Sequence, residues 1–175
     1  MVANERSEAA VKNQTTMDRT SDRELVITRT FNGPPRIVFD AFTKPEYVKR
    51  WWAPKTRDVS LVSVDADVRV GGGYRYVLRH GKQGTFAFSG TYREVAPPSR
   101  LVYTEVFEPS AQGGDEGSAA VVTVTLEDRG GKTFFVSRSL FPSKDVLDMV
   151  LATGMEGGMR ETMEQLDELV ASLTN

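Results

Sequence analysis

The chain contains no cysteine and a single histidine among its 175 residues. The lack of cysteine excludes disulfide bonds, thiolate nucleophiles and cysteine-ligated metal sites. Any Ser-His-Asp triad would have to use His80, which stands beside Gly81 in a turn pattern. We therefore expect His80 to be exposed and inert, and we expect neither a metal site nor a cofactor.

Long apolar runs are also missing. No stretch approaches the ~20 apolar residues that cross a bilayer, and the first residues lack the apolar segment of a signal peptide. The net charge of -2 gives no overall attraction to nucleic acid. The glycines at 71–73 lack the lysine and Ser/Thr of a phosphate-binding loop. We expect a cytoplasmic protein that neither inserts into membranes nor binds nucleic acid.

Charge is unevenly distributed along the chain. Residues 24–58 hold seven Lys or Arg and four Asp or Glu, a net +3, whereas residues 143–173 hold two and seven, a net -5. Such segments are either solvated faces or a polarised surface for a partner. The second interpretation keeps open a homodimer or docking to a chaperone.

The remaining pattern predicts one α+β domain. Residues 1–23 are polar and aperiodic, which predicts a disordered N-terminal tail. Residues 24–173 predict a strand, two short helices, six strands in a meander and a long C-terminal helix that begins near Ser143. Short turns at 80–84 and 129–131 make the sheet antiparallel. We expect a curved sheet of about seven strands around the long helix, with a cavity between them.

Several segments, taken in order, carry a family resemblance: "ITRTFNGPPRIVFDAFTKPEYVKRWWAP", "GGGYRYVL", "FSGTYREVAPPSRLVYTEVFE", "VTVTLED" and "FPSKDVLDMVLATGMEGGMRETMEQLDELV". They resemble the bacterial homologues of the heat-shock protein 90 ATPase activator, within the START-like, helix-grip (SRPBCC) superfamily. The resemblance covers about residues 24–173 and implies the helix-grip fold. It also implies an apolar small molecule, such as a lipid or polyketide, between sheet and helix. Some members of that superfamily are cyclases or aromatases, and the eukaryotic namesake binds a chaperone.

Both tryptophans lie in "KPEYVKRWWAPKT", at the end of the second short helix. Adjacent residues of a helix diverge by about 100°, so one indole should pack beneath the rim of the sheet while the other faces the cavity mouth or solvent. Either both residues close the core, or Trp52 forms part of a pocket entrance.

Strand aromatics and helix methionines supply the other candidates for ligand binding. They are either core residues or pocket walls, since tyrosine hydroxyls orient ligands and thioethers suit varied apolar surfaces. The candidates are Tyr74, Tyr76, Phe88, Tyr103, Met155 and Met159.

Glu105 is the candidate for chemistry, because it shares a strand face with Tyr103 and Phe107. If that face is inward, burial raises the pKa of the carboxyl unless a cation such as Arg75 or Arg138 pairs with it. If it is outward, Glu105 is an ordinary solvated residue. The leading hypothesis is a binder of a small apolar or amphipathic ligand. The alternatives are a cofactor-free enzyme of cyclase or aromatase type that uses Glu105, and an interaction module.

Overall fold

The computed structural model describes residues 13–174, which form one eight-stranded antiparallel sheet and four helices. The strand order is β1-β2-β8-β7-β6-β5-β4-β3, so the first two strands lie beside the last. This arrangement confirms the predicted α+β helix-grip class. The elements are β1 (Thr16–Arg19), β2 (Glu24–Phe31), α1 (Pro35–Thr43), α2 (Pro45–Trp51), β3 (Val59–Ala66), β4 (Gly73–His80), β5 (Gly84–Ala96), β6 (Arg100–Glu108), β7 (Ala120–Arg129), β8 (Lys132–Leu140), α3 (Lys144–Ala152) and α4 (Met155–Thr174).

Strand β1 lies within the segment that the sequence assigns to a tail. It pairs antiparallel with β2 at one edge of the sheet, with Thr16 opposite Thr28 and Arg19 opposite Leu25. A four-residue edge strand of mostly polar residues carries no alternating apolar signal, so sequence patterning does not identify it. The tail prediction is therefore wrong for residues 16–19, and its first twelve residues lie outside the described part of the chain.

The predicted long helix is divided in two. Helix α3 begins at the predicted cap Ser143, whose Oγ accepts a hydrogen bond from the Val146 amide at 3.2 Å. It ends at Ala152, and Gly154 follows with a φ of +73°, a left-handed conformation that glycine adopts without strain. Helix α4 then supplies twenty residues, about 30 Å of helix.

The core lies between the concave face of the sheet and helices α1, α2 and α4. The apolar stripe of α4 faces this core, with Met163, Leu166 and Val170 buried at helical spacing. A second, smaller cluster lies under α3, around Leu25 and Leu147. The main cluster extends over the concave face of β4, β5 and β6 through Tyr74, Tyr92 and Leu101, and Trp52 at the end of α2 packs against it.

Helix α4 is also anchored to the sheet by a buried ion pair. Arg29 of β2 is 1% exposed, and its guanidinium donates to Asp167 at 2.7 Å and to Glu164 at 3.3 Å. Thr15 accepts a further hydrogen bond from Arg29 at 2.9 Å. Residues at the start of the described chain therefore cover the point where β2 meets α4.

Candidate functional site

A cavity of about 20 Å³ lies between the concave face of β4–β6 and the ends of α1 and α2. That volume is room for about one water molecule. Its lining includes no residue of α4, so it does not lie where the sequence places the cavity, between the sheet and the C-terminal helix. Six of the eight lining residues are aromatic and one is a carboxylate, so the walls combine apolar ring faces with a few polar atoms. The lining residues are Phe42, Trp52, Tyr74, Tyr76, Tyr92, Leu101, Tyr103 and Glu105.

The adjacent tryptophans have different environments. Trp51 is 3% exposed, and its indole N–H donates to the Ala41 carbonyl at 2.8 Å. Trp52 is half-buried and makes edge-to-face contacts with Tyr76 and Phe88 at centroid distances of 5.1 and 5.0 Å. Within residues 13–174 its indole N–H has no hydrogen-bond partner. Trp51 is thus a core residue, whereas Trp52 is a wall of the cavity.

Gln165 of α4 holds the backbone on both sides of Trp52. Its Nε2 donates to the carbonyl oxygens of Trp51 and Ala53 at 2.9 and 2.8 Å, and its Oε1 accepts from the Lys55 amide at 2.9 Å. These three hydrogen bonds tie the backbone around Trp52 to α4. Sequence reasoning missed Gln165; its one signal is a polar residue within the apolar face of the last helix.

The tyrosines are positioned by the strand register. Tyr74 and Tyr76 alternate on β4, and Tyr92 of β5 pairs with Tyr103 of β6. Burial is the main cause that raises the pKa of Tyr74, and the nearby charge of Glu105 raises it further. Burial also raises the pKa of Tyr76, Tyr92 and Tyr103, so these phenols stay neutral near pH 7.

The pairing of β5 with β6 is interrupted at Gly90 and Thr91, and the Tyr74 ring reaches β6 at this interruption. The Tyr74 hydroxyl donates to the Thr104 carbonyl at 2.8 Å, across the position of Gly90. A Cβ on Gly90 would lie 1.8 Å from that carbonyl oxygen and 2.8 Å from the Tyr74 ring. Glycine at this position is therefore what lets Tyr74 reach β6.

Glu105 lies on the concave face, opposite Ala120 of β7, at the seam between the two apolar clusters. Burial raises the pKa of this carboxyl to about 7. No ion pair to Glu105 occurs in the described part of the chain, since Arg75 pairs with Glu108 at 3.1 Å and Arg138 with Glu24 at 3.3 Å. Glu105 therefore points inward, which is the orientation in which burial raises the pKa of its carboxyl. The suggestion that Arg75 or Arg138 pairs with it is wrong.

Five of the eight sequence candidates line the cavity, namely Trp52, Tyr74, Tyr76, Tyr103 and Glu105. Phe88 lies directly behind Trp52, and Met159 packs against the main core. Met155 lies in the cluster beneath α3, away from the cavity, because the break at Gly154 turns it towards Leu147. Sequence reasoning did not assign the other three lining residues to the site, although two of them are aromatic: Phe42, Tyr92 and Leu101.

The oppositely charged segments of the chain contact each other. Arg57, after α2, pairs with Glu161 of α4 at 3.1 Å, and the Thr56 amide donates to the same carboxylate at 2.7 Å. These contacts lower the pKa of Glu161, the Thr56 hydrogen bonds being the largest cause. At this pair the opposite charges of the two segments therefore compensate each other within one chain. None of the helices formed by residues 13–174 has the length and apolar character needed to traverse a bilayer.

Comparison with solved structures finds the same fold in bacterial proteins. A Rhodobacter sphaeroides protein is similar with a TM-score of 0.80 and 23% identity, over 91% of this chain and 99% of that one. The protein Ms6760 of Mycobacterium smegmatis gives 0.79 and 21%, over 89% and 96%. A Staphylococcus epidermidis protein gives 0.74 and 29%, over 91% and 96%. A search of curated proteins finds no match.

A family model supplies the assignment that fold similarity alone does not give. The model described as Activator of Hsp90 ATPase homolog 1-like protein matches residues 32–171, which include α1, α2, all the cavity-lining strands and most of α4. The chain therefore belongs to the Activator of Hsp90 ATPase homolog 1-like protein family.

Proposed function

We propose that the chain binds a small amphipathic molecule at the aromatic cavity between β4–β6 and the end of α2. The observation that carries this proposal is the composition of the cavity wall, six aromatic rings with one carboxylate. Sites for small molecules commonly combine apolar walls with a few polar groups that fix orientation. Apolar burial at about 25 cal/mol per Å² would supply most of the affinity.

The closed cavity is too small for such a ligand, so binding requires the Trp52 side chain to swing outward. Its two ring contacts, to Tyr76 and Phe88, are each worth about 0.5–1.5 kcal/mol. Losing both costs about 1–3 kcal/mol in addition to the apolar area that the indole exposes, and burial of the ligand must offset this cost for the open state to be selected. An indole is larger than benzene, so its departure makes room for one aromatic ring.

Fluorescence tests this proposal, because the chain has only two tryptophans and one of them lines the cavity. We expect a panel of small aromatic and short-chain amphipathic compounds to contain members that change the emission of the wild-type protein with saturation. The change should disappear in Trp52→Phe, which keeps the ring contacts but removes the reporter. A flat response and an unchanged Tm across the panel would refute the proposal. A response retained in Trp52→Phe would place binding elsewhere.

A second function, general acid–base catalysis on an aromatic or polyketide-like substrate, is favoured by one observation. The pKa of Glu105 is raised to about 7 by burial, close to the value at which a carboxyl best transfers protons at neutral pH. In this version Glu105 takes a proton from a bound substrate, and the neutral Tyr103, whose hydroxyl is not committed to the Thr104 carbonyl as that of Tyr74 is, donates a hydrogen bond to the oxygen where negative charge develops.

The Kemp elimination of 5-nitrobenzisoxazole probes this version without a known substrate. A carboxylate in an apolar site removes the carbon-bound proton while the N–O bond breaks to give a cyanophenolate. We expect a rate that rises with pH through about 7, following the pKa of Glu105, and that is lost in Glu105→Gln. Equal rates for wild type and Glu105→Gln would exclude Glu105 as a base.

A further inference from the structure

The position of Glu105 among the aromatic rings of the cavity indicates the charge of the ligand, which apolar walls alone do not. Glu105 is surrounded by ring faces and edges from three strands and from the end of α2. Its electrostatic neighbours within the described residues are Tyr74, Tyr76 and Tyr103, whose own pKa values its charge raises. No arginine, lysine or histidine lines the cavity. The site therefore contains a carboxylate without any positive charge to balance it.

We propose that the part of the ligand that reaches Glu105 is a positively charged organic nitrogen, an alkylammonium or methylated ammonium group. This inference rests on the proposed function and names the chemical class of its ligand. Aromatic faces attract cations through the negative potential of the ring, and the tyrosines that stay around Glu105 when Trp52 swings outward supply such faces. A carboxylate at the centre of such a cage supplies the counter-charge.

Other ligand chemistries fit the cage less well. An anionic group would face an ionised Glu105 and ring faces of negative potential, with no cation to receive it. A neutral hydrocarbon would bury the carboxylate further and leave it unpaired, which is unfavourable for a charge removed from water. A cation instead compensates the charge that the fold leaves unpaired, so it gains from both the rings and the carboxylate.

Binding of a cation should release a proton. Burial raises the pKa of Glu105 to about 7, and a bound positive charge favours the ionised carboxylate and lowers that pKa. The other titratable groups facing Glu105 are Tyr74 and Tyr76 of β4, Tyr92 of β5 and Tyr103 of β6. Each of these phenols has a raised pKa and stays neutral between pH 5.5 and 8.5. The pH dependence in that range is therefore assigned to Glu105.

An isosteric pair of probes tests the inference. Phenyltrimethylammonium and tert-butylbenzene have the same shape and differ by the positive charge on the central atom, and the phenyl ring fits the space vacated by the Trp52 indole. Calorimetric or fluorescence titration at pH 8.5 should show the cation binding about tenfold or more tightly than the hydrocarbon. Affinity for the cation should fall up to about thirtyfold at pH 5.5, where a carboxyl with a pKa of about 7 is mostly protonated.

Glu105→Gln is the decisive variant, because it keeps the shape of the side chain and removes its charge. It should lose the preference for phenyltrimethylammonium and the pH dependence while still binding tert-butylbenzene. Glu46→Gln, at an exposed position of α2, is the matched control and should bind like wild type. Should Glu105→Gln fail to fold, the comparison of the two probes on the wild-type protein at both pH values still decides the question.

The failures of the two proposals are distinguishable. Equal or tighter binding of tert-butylbenzene, unaffected by Glu105→Gln, overturns the cation inference and leaves the amphipathic-ligand site standing. Binding of neither probe, together with a flat response to the neutral panel, overturns both. A cation preference that persists in Glu105→Gln also overturns the inference, since another group would then supply the charge.

Discussion

Replacing Glu105 by glutamine removes a carboxyl group whose ionisation the fold opposes. Burial raises its pKa from 4.5 to about 7. Each pKa unit corresponds to about 1.36 kcal/mol, so the ionised carboxylate makes the folded state up to about 3 kcal/mol less stable. Glutamine has nearly the same shape and cannot ionise, and should therefore recover most of this free energy at high pH.

The pH range of the effect follows from the direction of the pKa shift. Between about pH 4.5 and 7, the folded protein keeps the Glu105 proton while the unfolded chain has lost it. The folded state then binds more protons, so the stability of the wild-type protein falls as pH rises through this window. Below the window the carboxyl is protonated in both states and the penalty is absent; above it the penalty is complete and constant.

Urea denaturation at pH 5 and pH 8.5 measures this prediction. The free energy of unfolding of Glu105→Gln should exceed that of wild type by about 1 kcal/mol at pH 5 and by about 3 kcal/mol at pH 8.5. In thermal unfolding the larger difference corresponds to about 6–12 °C in Tm for a chain of this size. Glu46→Gln controls for loss of a surface carboxylate. A difference between wild type and Glu105→Gln that does not change with pH would refute the account of Glu105.

Two further substitutions test the contacts that shape the site, each by chemical denaturation beside a matched control. Arg29→Ala should destabilise by about 2–4 kcal/mol, because it empties a fully buried position and removes the buried partner of Asp167, whereas Arg138→Ala, at an exposed pair, should cost less than about 1 kcal/mol. Equal losses would contradict the assignment of Arg29 as an anchor. Gly90→Ala should cost about 1–3 kcal/mol, because its Cβ meets the Thr104 carbonyl, and Gly73→Ala should be nearly neutral, since its nearest contact is 3.5 Å away. An unchanged free energy of unfolding for Gly90→Ala would contradict this, since β5 and β6 would then move apart at no energetic cost.

The sequence predicts the fold well where patterns are periodic. The alternation in β7 and the spacing of Met163, Leu166 and Val170 both report burial on one face, and the structure buries these positions. The break at Gly154 does not interrupt the apolar periodicity, so its signal in the sequence is the glycine and not the pattern. A residue's position in the apolar stripe predicts which face of the helix it occupies, but not which apolar cluster it packs in. Met155 is the example, because it packs in the smaller cluster beneath α3.

The sequence predicts which types of residue line the candidate site, but it does not predict the volume of the cavity. Strand alternation identifies the shared face of Tyr103 and Glu105, and helix geometry separates Trp51 from Trp52. The volume left between them depends on side-chain packing over several elements, which no local pattern encodes. The three hydrogen bonds of Gln165 likewise depend on backbone groups more than a hundred residues away.

The central claim is that a ligand enters beside Trp52 and leaves the neighbouring core intact. The two indole N–H groups give separate signals in an amide proton–nitrogen NMR spectrum, and each reports one tryptophan. On titration with phenyltrimethylammonium or tert-butylbenzene, the Trp52 signal should shift with saturation, whereas that of Trp51, which donates to the Ala41 carbonyl, should stay in place. An unmoved Trp52 signal at saturating probe, or shifts confined to other parts of the chain, would contradict the account.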